Sequence, residues 1–187
     1  MPRQPANSED DERPSDPGEG QEDPTESRFV ILLRHGIAAE ATADQADDDR
    51  GLTEEGISRM KEVARGLTFI LPRVRLIYSS PLVRAVQTAL FVRRAYGKKI
   101  ALATTDALRP GSDPLEVIEL VTSSSDRRII LVGHETHLTR TMLAWTGMDA
   151  GEGLALKKGG CYGLRLTGTE VAQEWMAPPR LLRHLRK

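Results

Sequence analysis

From residue 29 onward, short apolar runs alternate with longer stretches in which apolar residues recur every three or four positions. Phe29–Leu33, Leu76–Tyr78, Ile100–Ala103 and Ile129–Val132 read as strands buried on both faces. Between the first two, Ile57, Met60, Ala64, Leu67 and Leu71 keep helical spacing behind Thr53, whose hydroxyl suits an N-cap. Glu54 and Glu55 then fall where the helix dipole favours acids. Pro81 predicts the opening of a second helix through about Ala95, and Pro114 a third through about Val121, because proline is preorganised for a first turn. Thr136–Trp145 predicts a fourth, with Leu138, Met142 and Trp145 on one core-facing side. Cys161–Leu166 and Val171–Met176, separated by Thr167-Gly168-Thr169, read as a β-hairpin. Together these elements predict an α/β fold: a three-layer αβα sandwich, its mostly parallel sheet covered by helices on both faces, with an antiparallel C-terminal hairpin. Functional groups should gather beyond the carboxyl ends of the parallel strands. Ile37–Arg50, rich in Ala and Asp, is a long connection beside that edge, a surface loop or a frayed helix.

The first 27 residues do not share the pattern. They hold nine acids (Glu9, Asp10, Asp11, Glu12, Asp16, Glu19, Glu22, Asp23 and Glu26) against Arg3 and Arg13, with five prolines and almost nothing apolar. Such a segment cannot bury enough surface to offset its chain entropy, so residues 1–27 are expected to be a disordered acidic tail and 28–187 a single folded domain. The tail solubilises the chain or folds back to screen a basic site. Its removal changes the charge balance: 27 acids less 9 leaves 18, and 26 bases less 2 leaves 24, so the remainder is positive by six although the whole chain is −1. That surplus suits an anionic substrate and is too modest to indicate nucleic acid. No basic segment leads into an apolar one near the N-terminus, and no run approaches the roughly 20 apolar residues of a membrane span. A cytoplasmic protein without a membrane partner, acting as a monomer, is the expectation. Cys161, the only cysteine, reads as a small core residue. It lacks the arginine six residues on that a cysteine phosphatase needs, since position 167 is Thr.

Four segments carry polar residues just past strand ends: Arg34-His35-Gly36, Ser79-Ser80-Pro81-Leu82-Val83-Arg84, Leu108–Asp113 and Gly133-His134-Glu135. In a parallel sheet these loops converge. Arg34 and Arg84 can each fork two hydrogen bonds onto phosphate oxygens and remain charged at any relevant pH. His35 and His134 bring two imidazoles to the same place, where a neutral ring nitrogen is a competent nucleophile.

These segments, with Leu52-Thr53-Glu54-Glu55-Gly56 and Arg84-Ala85-Val86-Gln87-Thr88-Ala89, resemble the histidine phosphatase superfamily, in the same order and spacing from about Phe29 to Met176. Within it, the short length and lack of insertions look most like the SixA-type phosphohistidine phosphatases. The resemblance implies a phosphoglycerate mutase-like fold, with His35 as the nucleophile that becomes phosphorylated. Arg34, Arg84 and His134 would bind the phosphoryl oxygens and stabilise their charge in the transition state. No metal or other cofactor is implied, because two arginines supply the positive charge. One position departs from the esterase and mutase members, which look as though they place a glutamate general acid after a Leu-Arg pair. Here Leu108-Arg109 is followed by Pro110, which has no proton to give. A departing alkoxide wants an acid, whereas a departing imidazole can take its proton from solvent. A phosphohistidine on a partner protein is therefore the favoured substrate, with Asp113 and Glu135 as the carboxylates that could restore an acid for a small phosphate ester or phosphoanhydride.

Other residues read as structural. His137 looks like a surface residue at a helix start, and His184 belongs to Arg180–Lys187, which reads as a solvated terminal segment. Ser79 and Ser80 lack the Gly-flanked elbow of a serine nucleophile and are expected to shape the turn that presents Arg84. Lys157 and Lys158 sit in a surface loop that could steer anions.

Overall fold

A computed structural model describes residues 27–97, 99–149 and 154–185. In it the strands β1 (Arg28–Arg34), β2 (Leu76–Ser79), β3 (Ala101–Thr104), β4 (Arg128–Gly133), β5 (Cys161–Thr167) and β6 (Glu170–Ala177) make one sheet in the order β3-β2-β4-β1-β5-β6. The first four pair in parallel, while β5 runs antiparallel to both β1 and β6. Among the described residues five α-helices accompany it: α1 (Glu54–Ile70), α2 (Val83–Tyr96), α3 (Pro114–Thr122), α4 (His137–Thr146) and α5 (Pro179–His184).

The side-chain period of two along each central strand divides the core. From β1 and β4, Ile31, Leu33, Ile130 and Val132 pack with Met60, Val63, Ala64 and Leu67 of α1, Ala85, Ala89 and Val92 of α2, and Leu182 of α5. The alternate residues Val30, Leu32, Ile129 and Leu131 pack with Val117 and Val121 of α3 and with Leu138 and Met142 of α4. Both strands are therefore apolar throughout their middles, Phe29–Leu33 and Ile129–Val132, and the three layers follow. Cys161 is fully buried in the first of these clusters. Among the described residues no helix is long and apolar enough to cross a membrane.

Three expectations are corrected. β3 is the sheet's edge strand and is largely exposed rather than buried, since its Ala101, Ala103 and Thr104 face solvent. Pro81 does not open the second helix, which starts at Val83 behind an extended Leu82, so Pro81 belongs to the turn itself. The C-terminal segment is not a solvated tail as far as it is described: α5 docks on α1, with Leu182 fully buried. A Cβ at Gly66 would lie 2.0 Å from the Leu182 carbonyl oxygen, so only glycine lets the two backbones approach this closely. Period alone could not find this helix, because α5 has six residues and offers one buried anchor. The acidic tail expected to be disordered, residues 1–27, lies outside the described residues except for Ser27.

Candidate active site

β1 ends on Arg34, and the chain then turns out of the sheet between two neighbours. The Arg34 amide donates to Gly160 O and the His35 amide to Gly133 O, each at 3.0 Å, so the residue leading into β5 and the last residue of β4 hold this corner from both sides. Gly36 N donates to Thr88 Oγ1 at 3.1 Å, and Thr88 in turn donates to Arg84 O at 2.8 Å. One buried hydroxyl thereby couples the His35 loop to the helix that carries Arg84. The Leu52–Gly56 motif pins the outgoing chain: Thr53 N donates to Ile37 O at 3.0 Å, and Thr53 Oγ1 caps α1 by accepting from Gly56 N at 3.0 Å. A side chain at Gly56 would strike Ile37 O, 2.1 Å from its Cβ.

His35 and His134 face each other beyond the carboxyl ends of β1 and β4, with ring centroids 5.0 Å apart and planes inclined by 54°. Both are buried, as is Arg84, only 4% exposed. His35 Nδ1 donates to Gly36 O at 2.7 Å, an assignment that leaves the lone pair on Nε2. Burial, then the guanidiniums of Arg84 and Arg34 and the Lys158 ammonium, push the His35 pKa down to about 4, against the pull of the Gly36 carbonyl. His134 falls to about 3, first through burial and then through His35 and Arg84. Its Nε2 pairs with Ser80 Oγ at 2.8 Å. Both imidazoles are neutral at physiological pH, one of them with a fixed nucleophilic nitrogen. Buried His134 Nδ1, Arg34 Nε and Arg84 Nε have no hydrogen-bond partner among the described residues. Leaving such groups unpaired costs about 1–3 kcal/mol each, and the two guanidinium N–H groups are suited to a bound oxyanion.

The arginines are held differently. Arg34 Nη1 donates to Leu156 O at 2.5 Å, while Leu156 N donates to Glu135 Oε2 at 3.3 Å, so one backbone residue bridges cation and carboxylate. Arg84 is gripped by Asp47: Nη1 donates to the Asp47 carbonyl at 2.6 Å and Nη2 to its Oδ2 at 2.8 Å. Asp47 lies in a single-turn 3-10 helix, Asp47–Asp49, within the 37–50 connection. Arg50 first and Arg84 next hold its carboxyl below the usual carboxylate range. Arg109 ties the same turn to the third loop through Asp48 at 2.7 Å.

The two candidate acids are otherwise engaged. Asp113 is exposed and caps α3 by accepting from Leu115 N at 3.0 Å. Glu135 accepts from Thr139 Oγ1 at 2.5 Å as well as from Leu156 N. Ser80 does more than shape a turn, because it also partners His134. His137 corrects the surface reading: it is 2% exposed, neither ring nitrogen has a partner among the described residues, and burial lowers its pKa, with Arg140 adding to the effect. The Asp-rich stretch was visible in the sequence as a loop beside the site, but nothing in its spacing pointed Asp47 at Arg84.

Fold and site together define an α/β protein with two neutral imidazoles beside one buried and one half-buried arginine, Arg84 and Arg34, at the carboxyl edge of a parallel sheet. Residues 30–110 match the family model for the histidine phosphatase superfamily, branch 1. An uncharacterised protein of Picosynechococcus sp. is 34% identical over 143 residues, covering 73% of this chain and 84% of that one. The solved structure named phosphohistidine phosphatase SixA from Agrobacterium tumefaciens superposes with a TM-score of 0.70 at 26% identity, covering 81% of this chain and 98% of that one. A mycobacterial glucosyl-3-phosphoglycerate phosphatase shares the fold with a TM-score of 0.62 at 19% identity, over 82% and 100% of the two chains. The chain belongs to the histidine phosphatase superfamily, with a SixA-type, phosphoglycerate mutase-like fold.

Proposed function

We propose that the protein hydrolyses a phosphoryl group through a phosphohistidine intermediate on His35, and that its substrate is a phosphohistidine on a partner protein. The observation that carries the reading is the His35 tautomer. With Nδ1–H committed to Gly36 O, the Nε2 lone pair is available beside Arg34 and Arg84. Nε2 attacks phosphorus, the bond from phosphorus to the leaving nitrogen breaks, and the departing imidazole takes a proton from water. In the second half, water attacks phosphorus, the bond to Nε2 breaks, and its electron pair returns to the ring as a water proton is released. Arg34, Arg84 and His134 are the groups proposed to hold the phosphoryl oxygens as charge spreads over them.

The phosphohistidine substrate draws support from chemistry. Pro110 supplies no acid, Asp113 is engaged as a helix cap, and Glu135 accepts two hydrogen bonds within the fold. A leaving imidazole needs such an acid least. The likeness to a protein named for phosphohistidine hydrolysis points the same way. The rival substrate is a small phosphate ester, since a phosphatase named for a sugar phosphate shares this fold. Phosphate release from a phosphohistidine protein, a phosphohistidine peptide and a panel of phosphate monoesters, with wild type and His35→Ala side by side, tests both. Turnover by wild type alone, fastest on phosphohistidine, is expected. Faster monoester turnover refutes the substrate, and near-normal activity of His35→Ala refutes the mechanism.

A further inference from the structure

The edge of the sheet opposite the active site carries a second cluster of positive charge. Arg73 and Arg75 precede β2, Arg127 precedes β4, and Arg128 is the first residue of β4. With Ser27, Ser125 and Asp126 they line a cavity of about 420 Å³. Four guanidiniums less one carboxylate leave three positive charges around it. Arg128 Nη1 donates to Pro72 O at 3.0 Å, and Arg73 holds a left-handed backbone with φ 62°. A residue other than glycine keeps that conformation where its surroundings fix it, so the turn bearing two of these arginines is a defined one. The reaction at His35 has no use for this cluster, which lies at the amino ends of strands whose carboxyl ends carry the active site.

We propose that the cavity is the docking site of the chain's own acidic segment, through Glu22, Asp23 and Glu26. Ser27 is part of the cavity wall, so the segment starts at its rim. Charge is complementary: within residues 22–26 there are three acids and no base. Reach decides between the two basic sites. Five residues extend at most about 18 Å from Ser27. The seven-residue β1 separates the two edges of the sheet by about 23 Å. The acids nearest Ser27 therefore reach the cavity and fall short of His35. Tethering raises their local concentration at the arginines, so weak individual ion pairs suffice. The inference stands independently of the reaction at His35.

The test uses the full chain labelled with 15N, comparing wild type with Glu22→Gln/Asp23→Asn/Glu26→Gln through arginine Nε–Hε and backbone amide resonances. At about 0.01 M salt the substitutions are expected to shift Arg73, Arg75, Arg127 and Arg128 and to leave Arg34 and Arg84 in place. At about 1 M salt, where the screening length falls from about 30 Å to about 3 Å, the difference at those arginines should vanish. In an Arg73→Gln/Arg75→Gln background, the same acidic-segment substitutions should leave Arg127 and Arg128 unmoved. Inorganic phosphate, read at the cavity resonances, should bind the triple variant about fivefold tighter, because the competing carboxylates are gone. Shifts centred on Arg34, Arg84 and His134, no shift at low salt, or an equal response to phosphate in both proteins would overturn the proposal.

Discussion

The low pKa of His35 makes a prediction that separates its proposed role from that of an ordinary buried histidine. Moving an imidazole from 6.5 to about 4 means that charging it in place costs roughly 3 kcal/mol more than in water. Burial is the first cause, and the two arginines and Lys158 add to it. The sign follows: the neutral form persists to lower pH than usual. At about pH 5.5 an unperturbed imidazole is about nine-tenths charged, whereas His35 should be only about one-thirtieth charged. Long-range 1H–15N correlation spectra of the imidazoles read this directly. From pH 7.5 to 5.5, the His35 Nδ1 should keep the signature of a protonated, donating nitrogen, and Nε2 that of a bare one. Replacing Arg84 with Gln should raise the His35 titration midpoint, because a neighbouring cation is lost. Kinetics give the second reading: after correction for ionisation of the substrate phosphate, kcat/KM should fall by less than twofold between those pH values. A midpoint near 6.5, or a protonated Nε2 at neutral pH, would refute the tautomer on which the proposed nucleophile depends.

Other outcomes follow from the same geometry. Arg84→Ala should lower kcat by about a hundredfold to a thousandfold, the usual cost of losing one preorganised donor to a developing oxyanion, as measured by steady-state kinetics. Asp47→Asn should tighten orthophosphate binding by up to about fivefold, because Asp47 competes for the Arg84 guanidinium yet is itself 55% exposed. Weaker binding by calorimetry would instead make Asp47 a support for that arginine. His35 and His134 take up protons more readily unfolded than folded, so stability should decline as pH falls from about 6.5 toward 4. Urea midpoints should show that decline, and His35→Gln should reduce it. Gly66→Ala should destabilise the protein by about 1–3 kcal/mol in urea unfolding, because the new methyl group meets the Leu182 carbonyl.

What could be read from the chain depended on whether a residue's partner is set by local pattern or by the fold. The apolar runs of β1 and β4 were legible because both faces of these strands are buried, which leaves no polar interruption. Arg34, His35, Arg84 and His134 were legible as a group because a parallel sheet delivers the loops after its strands to one edge. α5 was not, since a single buried leucine meeting a glycine on a distant helix leaves no periodic trace. His137 was misplaced for a related reason: a histidine at a helix start is exposed or buried according to what covers that end. Asp47 is the instructive case. Its neighbours Asp48 and Asp49 have the same local character, yet only Asp47 reaches Arg84, through its carboxylate and its carbonyl at once. A phosphoryl group that takes the Arg84 fork must displace that carboxylate or share the guanidinium with it. The loop after His35 thus belongs to the electrostatics of the site, and on the proposed reading the missing acid at Pro110 is only half of what would set this pocket's preference. On the proposed reading the other half is the negative charge of Asp47 already at Arg84, which would disfavour weakly held anions and leave room for a substrate that brings further contacts of its own.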